Sequence, residues 1–385
     1  MIQRTPARIE ARNESAGSGP RTATLHIPEP QARWQRILSE SITRPEQLLA
    51  RLGLPADTWL PGAQAGHELF DIRVPEPFVQ RMQPGNPNDP LLRQVLPLAE
   101  ETEQASGFVT DPLAEDNAIE TTGLIRKYRS RALLMVTGQC AINCRYCFRR
   151  HFPYGDHRLS PDGRQQVVQA LAASPDINEI IFSGGDPLAA SDKLLAKWAQ
   201  LLDGIPHLRR LRIHSRLPTV IPQRVDDSLL AWLSASRLQT ILVVHVNHPA
   251  EIDEATRTAL AKLKRAGVTL LNQSVILDGV NDDEKTLIEL SETLFDAGVM
   301  PYYLHAFDPV QGAQHFAVSD DRARALVRNM MAQLPGFLVP RLVRELPGEA
   351  PAEVPVPPQR RLRRVRGRHR HPPPSGRWEV RGRRD

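Results

Sequence analysis

Residues 127–150 read KYRSRALLMVTGQCAINCRYCFRR, a cationic and hydroxyl cluster followed by a short apolar run and then three cysteines within eight residues. ALLMVT, residues 132–137, has the length and composition of a buried strand. Cys140, Cys144 and Cys147 follow directly, which predicts a cysteine-bearing loop at the C-terminal end of that strand. They are the only cysteines in the chain. Three crowded cysteines suit a metal site in a reducing compartment, whereas a disulfide framework calls for an even, dispersed number. Thiolates are the soft ligands an iron-sulfur cluster takes, and four irons with three protein ligands leave one iron open to a chelating molecule. A structural zinc site would have to recruit a fourth ligand such as His151 or His157.

Downstream of this loop one unit repeats. The apolar runs EIIFSG (179–184), RLRIHS (210–215), TILVVHV (240–246), VTLLNQSV (268–275) and MPYYLHA (300–306) alternate with amphipathic stretches such as DGRQQVVQALAAS and SDKLLAKWAQLL. Strand then helix, six times over, predicts an α/β fold: an incomplete (β/α)6 TIM-like barrel spanning residues 108–348. Chemistry in such barrels gathers at the C-terminal ends of the strands. Gly184, Gly185 and Asp186, then Ser215 and Arg216, then His245, Asp282 and Asp308 all fall at or after strand ends. Upstream, WQRILSESI and PEQLLARLGL carry apolar residues at helical spacing, so residues 30–107 read as a helical accessory region. Residues 1–29 are Ser, Gly and Arg rich and are expected to be disordered. Residues 349–385 are a Pro/Arg-rich tail, expected to be disordered or the product of a shifted reading frame.

Charge is unevenly spread. The net +5 conceals eleven Arg against one Glu and one Asp between Arg360 and Asp385, a local +9, so residues 1–359 carry −4. The basic balance belongs to the tail, and an acidic body argues against nucleic acid as partner. No run of 18 apolar residues occurs, and MIQRTPARIEARNESAGSGP is too polar for a signal peptide. A soluble cytoplasmic protein with no membrane partner is expected.

The CxxxCxxC spacing with an aromatic before the last cysteine resembles the signature of the radical S-adenosylmethionine (SAM) superfamily. KYRSRALLMVTGQCAINCRYCFRRHFPY, FSGGDPL, RIHSRLP, HVNHP, NQSVILDGVND and PYYLHAFDPVQGAQHF together resemble the L-lysine 2,3-aminomutases. The likeness is greatest to the branch that makes β-lysine for modifying elongation factor P. It implies a 4Fe-4S cluster on the three cysteines, SAM chelated at the open iron, and pyridoxal phosphate (PLP). L-lysine would be the substrate, and a donor such as flavodoxin or ferredoxin would supply the electron that cleaves SAM to a 5'-deoxyadenosyl radical.

Residue by residue, the resemblance implies that Lys127, Tyr128 and Arg131 hold the PLP phosphate and Arg149 grips the substrate carboxylate. Asp282 and Asp308 would receive the lysine side-chain amine, although on residue type alone Asp282 in Val-Asn-Asp-Asp also reads as a turn residue. Gly184, Gly185, Asp186, Ser215, Arg216 and His245 would contact SAM. One departure stands out. The family places a PLP-binding lysine after its Arg-Glu segment, yet here Arg344-Glu345-Leu346-Pro347-Gly348-Glu349 runs into Ala350-Pro351, and no lysine follows Lys285. Arginine, always protonated, does not replace that amine.

Overall fold

A computed structural model of the chain describes residues 32–157 and 159–345 and the backbone of 352–353. The segment 1–29 and the remainder of the 349–385 tail lie outside the described residues. The chain divides into Met1–Ala32 and Arg33–Asp385, and the fold described here is that of the second unit.

Among the described residues ten strands form one sheet in sequence order. They are β1 (Ile119–Thr121), β2 (Leu124–Ile125), β3 (Arg131–Thr137), β4 (Glu179–Gly184), β5 (Arg210–Ser215), β6 (Gln239–Val244), β7 (Thr269–Val275), β8 (Met300–His305), β9 (Arg341–Arg344) and β10 (Ala352–Glu353). From β3 to β9 every neighbour is parallel, while β1, β2 and β10 pair antiparallel at the two edges. The sheet does not close on itself, so the incomplete barrel forms as expected. The six anticipated strands are β3 to β8. A seventh parallel strand, β9, is only four residues long, too short to register as an apolar run.

Each connection from one parallel strand to the next contains a helix whose first turn is capped by a side-chain oxygen. Ser160, Ser191, Asp226, Asp253, Asp283 and Ser319 accept from the backbone N–H of Gly163, Leu194, Leu229, Thr256, Thr286 and Arg322 respectively. That bond satisfies a donor the helix itself leaves unpaired. Along the strands the side chains alternate. Ile180, Phe182, Leu211 and Ile213 are all but fully buried. Ile181, Ser183, Arg212, His214, Gln273, Tyr303 and His305 turn the other way and line one common cavity.

The segment before β1 contributes helices Arg33–Ser39, Pro45–Leu52 and Ala56–Leu69. No helix among the described residues is long and apolar enough to cross a membrane. This segment is tied to the cysteine loop by a buried charge cluster. Glu101 accepts from Arg145 at 2.9 and 2.6 Å and from Arg150 at 2.7 Å. Arg145 also donates to the carbonyls of Phe70 and Gly66, and the Arg145 and Glu101 side chains are both fully buried. Removing one partner of such a cluster strands the other charges out of water. Glu101→Gln should therefore cost about 3–5 kcal/mol and loosen the loop that carries the cysteines. Chemical denaturation of the variant against the parent measures the loss, and an unchanged midpoint would show that the cluster does not hold these segments together.

Candidate active site

The loop after β3 brings Cys140, Cys144 and Cys147 to the wall of the cavity enclosed by the parallel strands. Burial pushes the Cys140 thiol well above its usual range, and neighbouring Cys147 and Asp186 add to the effect. Burial, followed by Cys144, raises Cys147 to about 11. Metal loading therefore has to displace protons from the site. Among the described residues no three His, Cys, Asp or Glu side chains converge on a single ion. Three soft thiolates spread along one loop and facing a cavity fit a wider body, a multi-iron cluster, whose open iron would face the same space.

Gly184 and Gly185 follow β4 and let the backbones crowd together. Gly184 has φ 121°, and a Cβ there would run into the Thr137 carbonyl oxygen; one at Gly185 would meet the Gln139 oxygen at 2.6 Å. The missing side chains thus seat the end of β4 directly on the approach to Cys140, with Gly185 N donating to Thr137 O and Asp186 N to Gln139 O. Asp186 is consumed as a tie. Its carboxylate accepts from Ser215 Oγ at 2.7 Å and from the backbone N–H of Leu188, Arg216 and Leu217. Ser215 accepts in turn from Leu217 N. Asp186 and Ser215 therefore tie the ends of β4 and β5 together at the wall of the cavity. The Nε2 of His245, buried and without a hydrogen-bond partner, supplies a free polar contact. Burial, then Arg216 and His305, holds that imidazole neutral, with its pKa near 3. The glycine floor and this open nitrogen fit SAM.

Arg149 follows the last cysteine of the same loop and lines the same cavity. Its guanidinium forks onto Glu115 at 2.6 and 2.8 Å and donates to Ser183 Oγ at 2.9 Å. Lys127 Nζ sits 2.8 Å from the same Glu115 carboxylate and 3.6 Å from Glu345. Burial alone would raise the Glu115 pKa, but Arg149 and Lys127 together bring it down to about 2. Glu115 was not anticipated from the sequence.

Beside Lys127, the Arg131 guanidinium covers the Tyr128 ring at 3.7 Å, and Arg212, which also lines the cavity, keeps a buried Nε without a partner. These cationic and hydroxyl donors fit a phosphate dianion. An amine for the PLP carbonyl is another matter. Of the chain's six lysines, only Lys127 lines the cavity; Lys193, Lys197, Lys262, Lys264 and Lys285 sit on the helices Asp192–Asp203, Glu254–Arg265 and Glu284–Asp296. The residues fit the phosphate end of PLP without offering a second amine beside it.

Asp308 and Asp282 part company. Asp308 lines the cavity, and burial, reinforced by Glu345, raises its pKa to about 7. Asp282 does not line it. Its carboxylate accepts from Gly279 N at 3.0 Å and closes the turn after β7, the role its Val-Asn-Asp-Asp setting also suggested. The acidic neighbours of Asp308 in the cavity are Glu345, at the end of β9, and Glu115. The remaining site residues all share this one cavity. Glu345, His214, His305 and Ser183 were missed, although the alternation of RLRIHS, polar every second residue, was a signal for the inward face of β5.

Glu115 gives a testable consequence for stability. Its carboxyl sits near 2 in the fold against an ordinary 4.5, so its contribution is present above pH 4.5 and is lost as the pH falls toward 2. Glu115→Gln should lower stability at neutral pH by about 3–5 kcal/mol and flatten the acid limb. Denaturation curves at several pH values check this, and parallel limbs for parent and variant would refute it.

The radical SAM superfamily pattern matches residues 134–291. An L-lysine 2,3-aminomutase of Escherichia coli (strain K12) is 51% identical over 333 residues, covering 86% of this chain and 96% of that protein. Another, from Haemophilus influenzae, is 49% identical, covering 83% and 94%. Likeness of this depth, spanning the cysteine loop and nearly the whole of each relative, makes the chain a member of the L-lysine 2,3-aminomutase family of radical SAM enzymes.

Proposed function

We propose that the chain converts L-lysine to β-lysine and that the product serves modification of elongation factor P. The observation that carries the first half is the sharing of one cavity by Cys140, Cys144, Cys147, Arg149 and Asp308. A cluster site, a receptor for a carboxylate and a receptor for an ammonium stand together there. An amino acid with a distal amine satisfies both receptors at once. The second half rests on the resemblance of the six motif segments to the elongation factor P branch.

The residues divide the work. Glu115 takes the Nε–Nη2 edge of Arg149 and Ser183 accepts from Nη1, which holds the planar guanidinium in place and leaves the N–H groups of its Nη1–Nη2 edge that those partners do not use for a carboxylate. Asp308, with Glu345 close enough to raise its pKa, receives the ammonium at the other end. Lys127, Tyr128 and Arg131, with Arg212 beside them, would hold the phosphate of PLP, Lys127 also being paired with Glu115 and Glu345, and His245 and the glycine floor would hold SAM. When bound, the cluster and SAM supply a hydrogen-abstracting carbon radical, and PLP supplies a conjugated system that delocalises an unpaired electron.

An anaerobic assay of the reconstituted protein with SAM, reductant, L-lysine and PLP tests the reading by following 5'-deoxyadenosine and β-lysine together. Both products are expected. 5'-Deoxyadenosine alone would support a second reading, a radical SAM enzyme that has lost its PLP chemistry, which the lack of any lysine after Lys285 favours. Intact-mass measurement of elongation factor P from cells with and without the gene tests the product's destination; an unchanged mass would refute that role.

The Asp308 carboxyl adds a pH dependence. With its pKa near 7, the group is neutral below that value and gains the charge that attracts an ammonium as pH rises through it. kcat/KM for lysine should climb by up to about tenfold per pH unit below 7 and level off above. Asp308→Asn should raise KM and remove this limb; an unaltered profile in the variant would exclude Asp308 as the ammonium receptor.

A further inference from the structure

Arg216 was expected to touch SAM, yet its guanidinium is directed elsewhere. One terminal nitrogen donates to Cys144 Sγ at 2.8 Å. The other donates to Gln94 Oε1 at 2.6 Å and to Glu251 Oε2 at 2.9 Å. Gln94 and Glu251 are fully buried and Arg216 is 5% exposed. Glu251 in turn accepts from Gln94 Nε2 and from the backbone N–H of Asn247 and His248. The Asn247 amide donates to Gln94 and, at 2.7 Å, to the Tyr146 hydroxyl. The backbone N–H of Arg216 is itself fastened to Asp186.

The result is a buried chain of polar side chains, running from the segment before β1 to the end of β5 and the turn after β6, that terminates on a cluster thiolate. A solvent-excluded cation is costly unless its placement is compensated by good partners, and here those partners aim it at sulfur. Hydrogen bonds and positive charge at a ligating sulfur stabilise the extra electron of a reduced cluster, so they raise its potential.

We propose that Arg216 tunes the iron-sulfur cluster: its cation, hydrogen-bonded to Cys144 Sγ and restrained by Glu251 and Gln94, makes the cluster easier to reduce. The step concerned is the uptake of one electron by the cluster from an external low-potential donor, with no bond made or broken. Glu251 acts in the opposite sense, since its anion offsets part of the arginine's charge while fixing its direction. The proposal rests on the reading that the three cysteines carry a four-iron cluster.

The test uses anaerobically reconstituted full-length protein, Arg216→Gln and Glu251→Gln, without SAM, lysine or PLP. Iron and sulfide are counted in each, and the reduced cluster is followed by low-temperature electron paramagnetic resonance across a series of applied potentials. At the parent's midpoint, Arg216→Gln should lower the ratio of reduced to oxidised cluster about tenfold, which is about 59 mV for a one-electron couple. Glu251→Gln should move the midpoint the other way. A merely structural role would change cluster content without shifts of opposite sign. Fully loaded Arg216→Gln with the parent's potential would overturn the proposal, as would Glu251→Gln with an unchanged or lowered one. Glu251→Gln decides alone if Arg216→Gln fails to hold a cluster. Failure of the parent to hold four irons would remove the cluster reading itself, and the proposal with it, whereas a loaded cluster with unmoved potentials sinks only the role of the arginine.

Discussion

An open parallel sheet whose inner face is polar must neutralise its own charges before it can hold anything else. In this protein Glu115 meets that requirement at the most crowded point, where Arg149 and Lys127 both close on one buried carboxylate. Two cations so near each other would repel across a medium with little water to screen them. With Glu115 between them, Arg149 keeps a fixed direction and Lys127 stays beside Tyr128. The same logic recurs at Glu101, between Arg145 and Arg150, and at Glu251, facing Arg216. Each of these three carboxylates anchors an arginine next to, or in contact with, the cysteine loop.

Two of the three come from the chain before β3, and Gln94, which completes the third, does too. The segment 30–107, which reads as an accessory region, therefore supplies groups that the cluster loop leans on. Arg145 reaches the carbonyls at the end of helix Ala56–Leu69, so the N-terminal helices position the residue next to Cys144.

Much of this was legible in the sequence. The strands β3 to β8, their order, the strand-end placement of the cysteines and the Gly-Gly-Asp turn all follow from short apolar runs, turn residues and ligand spacing, which are local properties. The pairings were not. Nothing in the spacing of Glu115 and Arg149, 34 residues apart, announces a fork between them, and Arg216 reads as a cation after a strand whether it faces SAM or sulfur. Asp282 illustrates the reverse case: its motif matched, but a turn carboxylate satisfied by Gly279 N has no reason to reach the cavity. β9 escaped notice because four residues carry too little periodicity, and with it went Glu345. The glycines, which the resemblance assigns to SAM, make room for the backbone of Thr137 and Gln139, a long-range fit that their spacing does not announce.

The aromatic and imidazole side of the cavity has its own consequence. His214 and His245 meet edge to face, with ring centroids 5.8 Å apart, and burial keeps both imidazoles, and that of His305, on the neutral side of their titration. Burial and its neighbours likewise hold the hydroxyl protons of Tyr128 and Tyr154 more tightly than water would. That wall is therefore nearly inert as an acid at neutral pH. A reactive carbon held against it would be offered no loosely bound proton, and hydrogen passed as an atom would have no competing ionic route through these side chains.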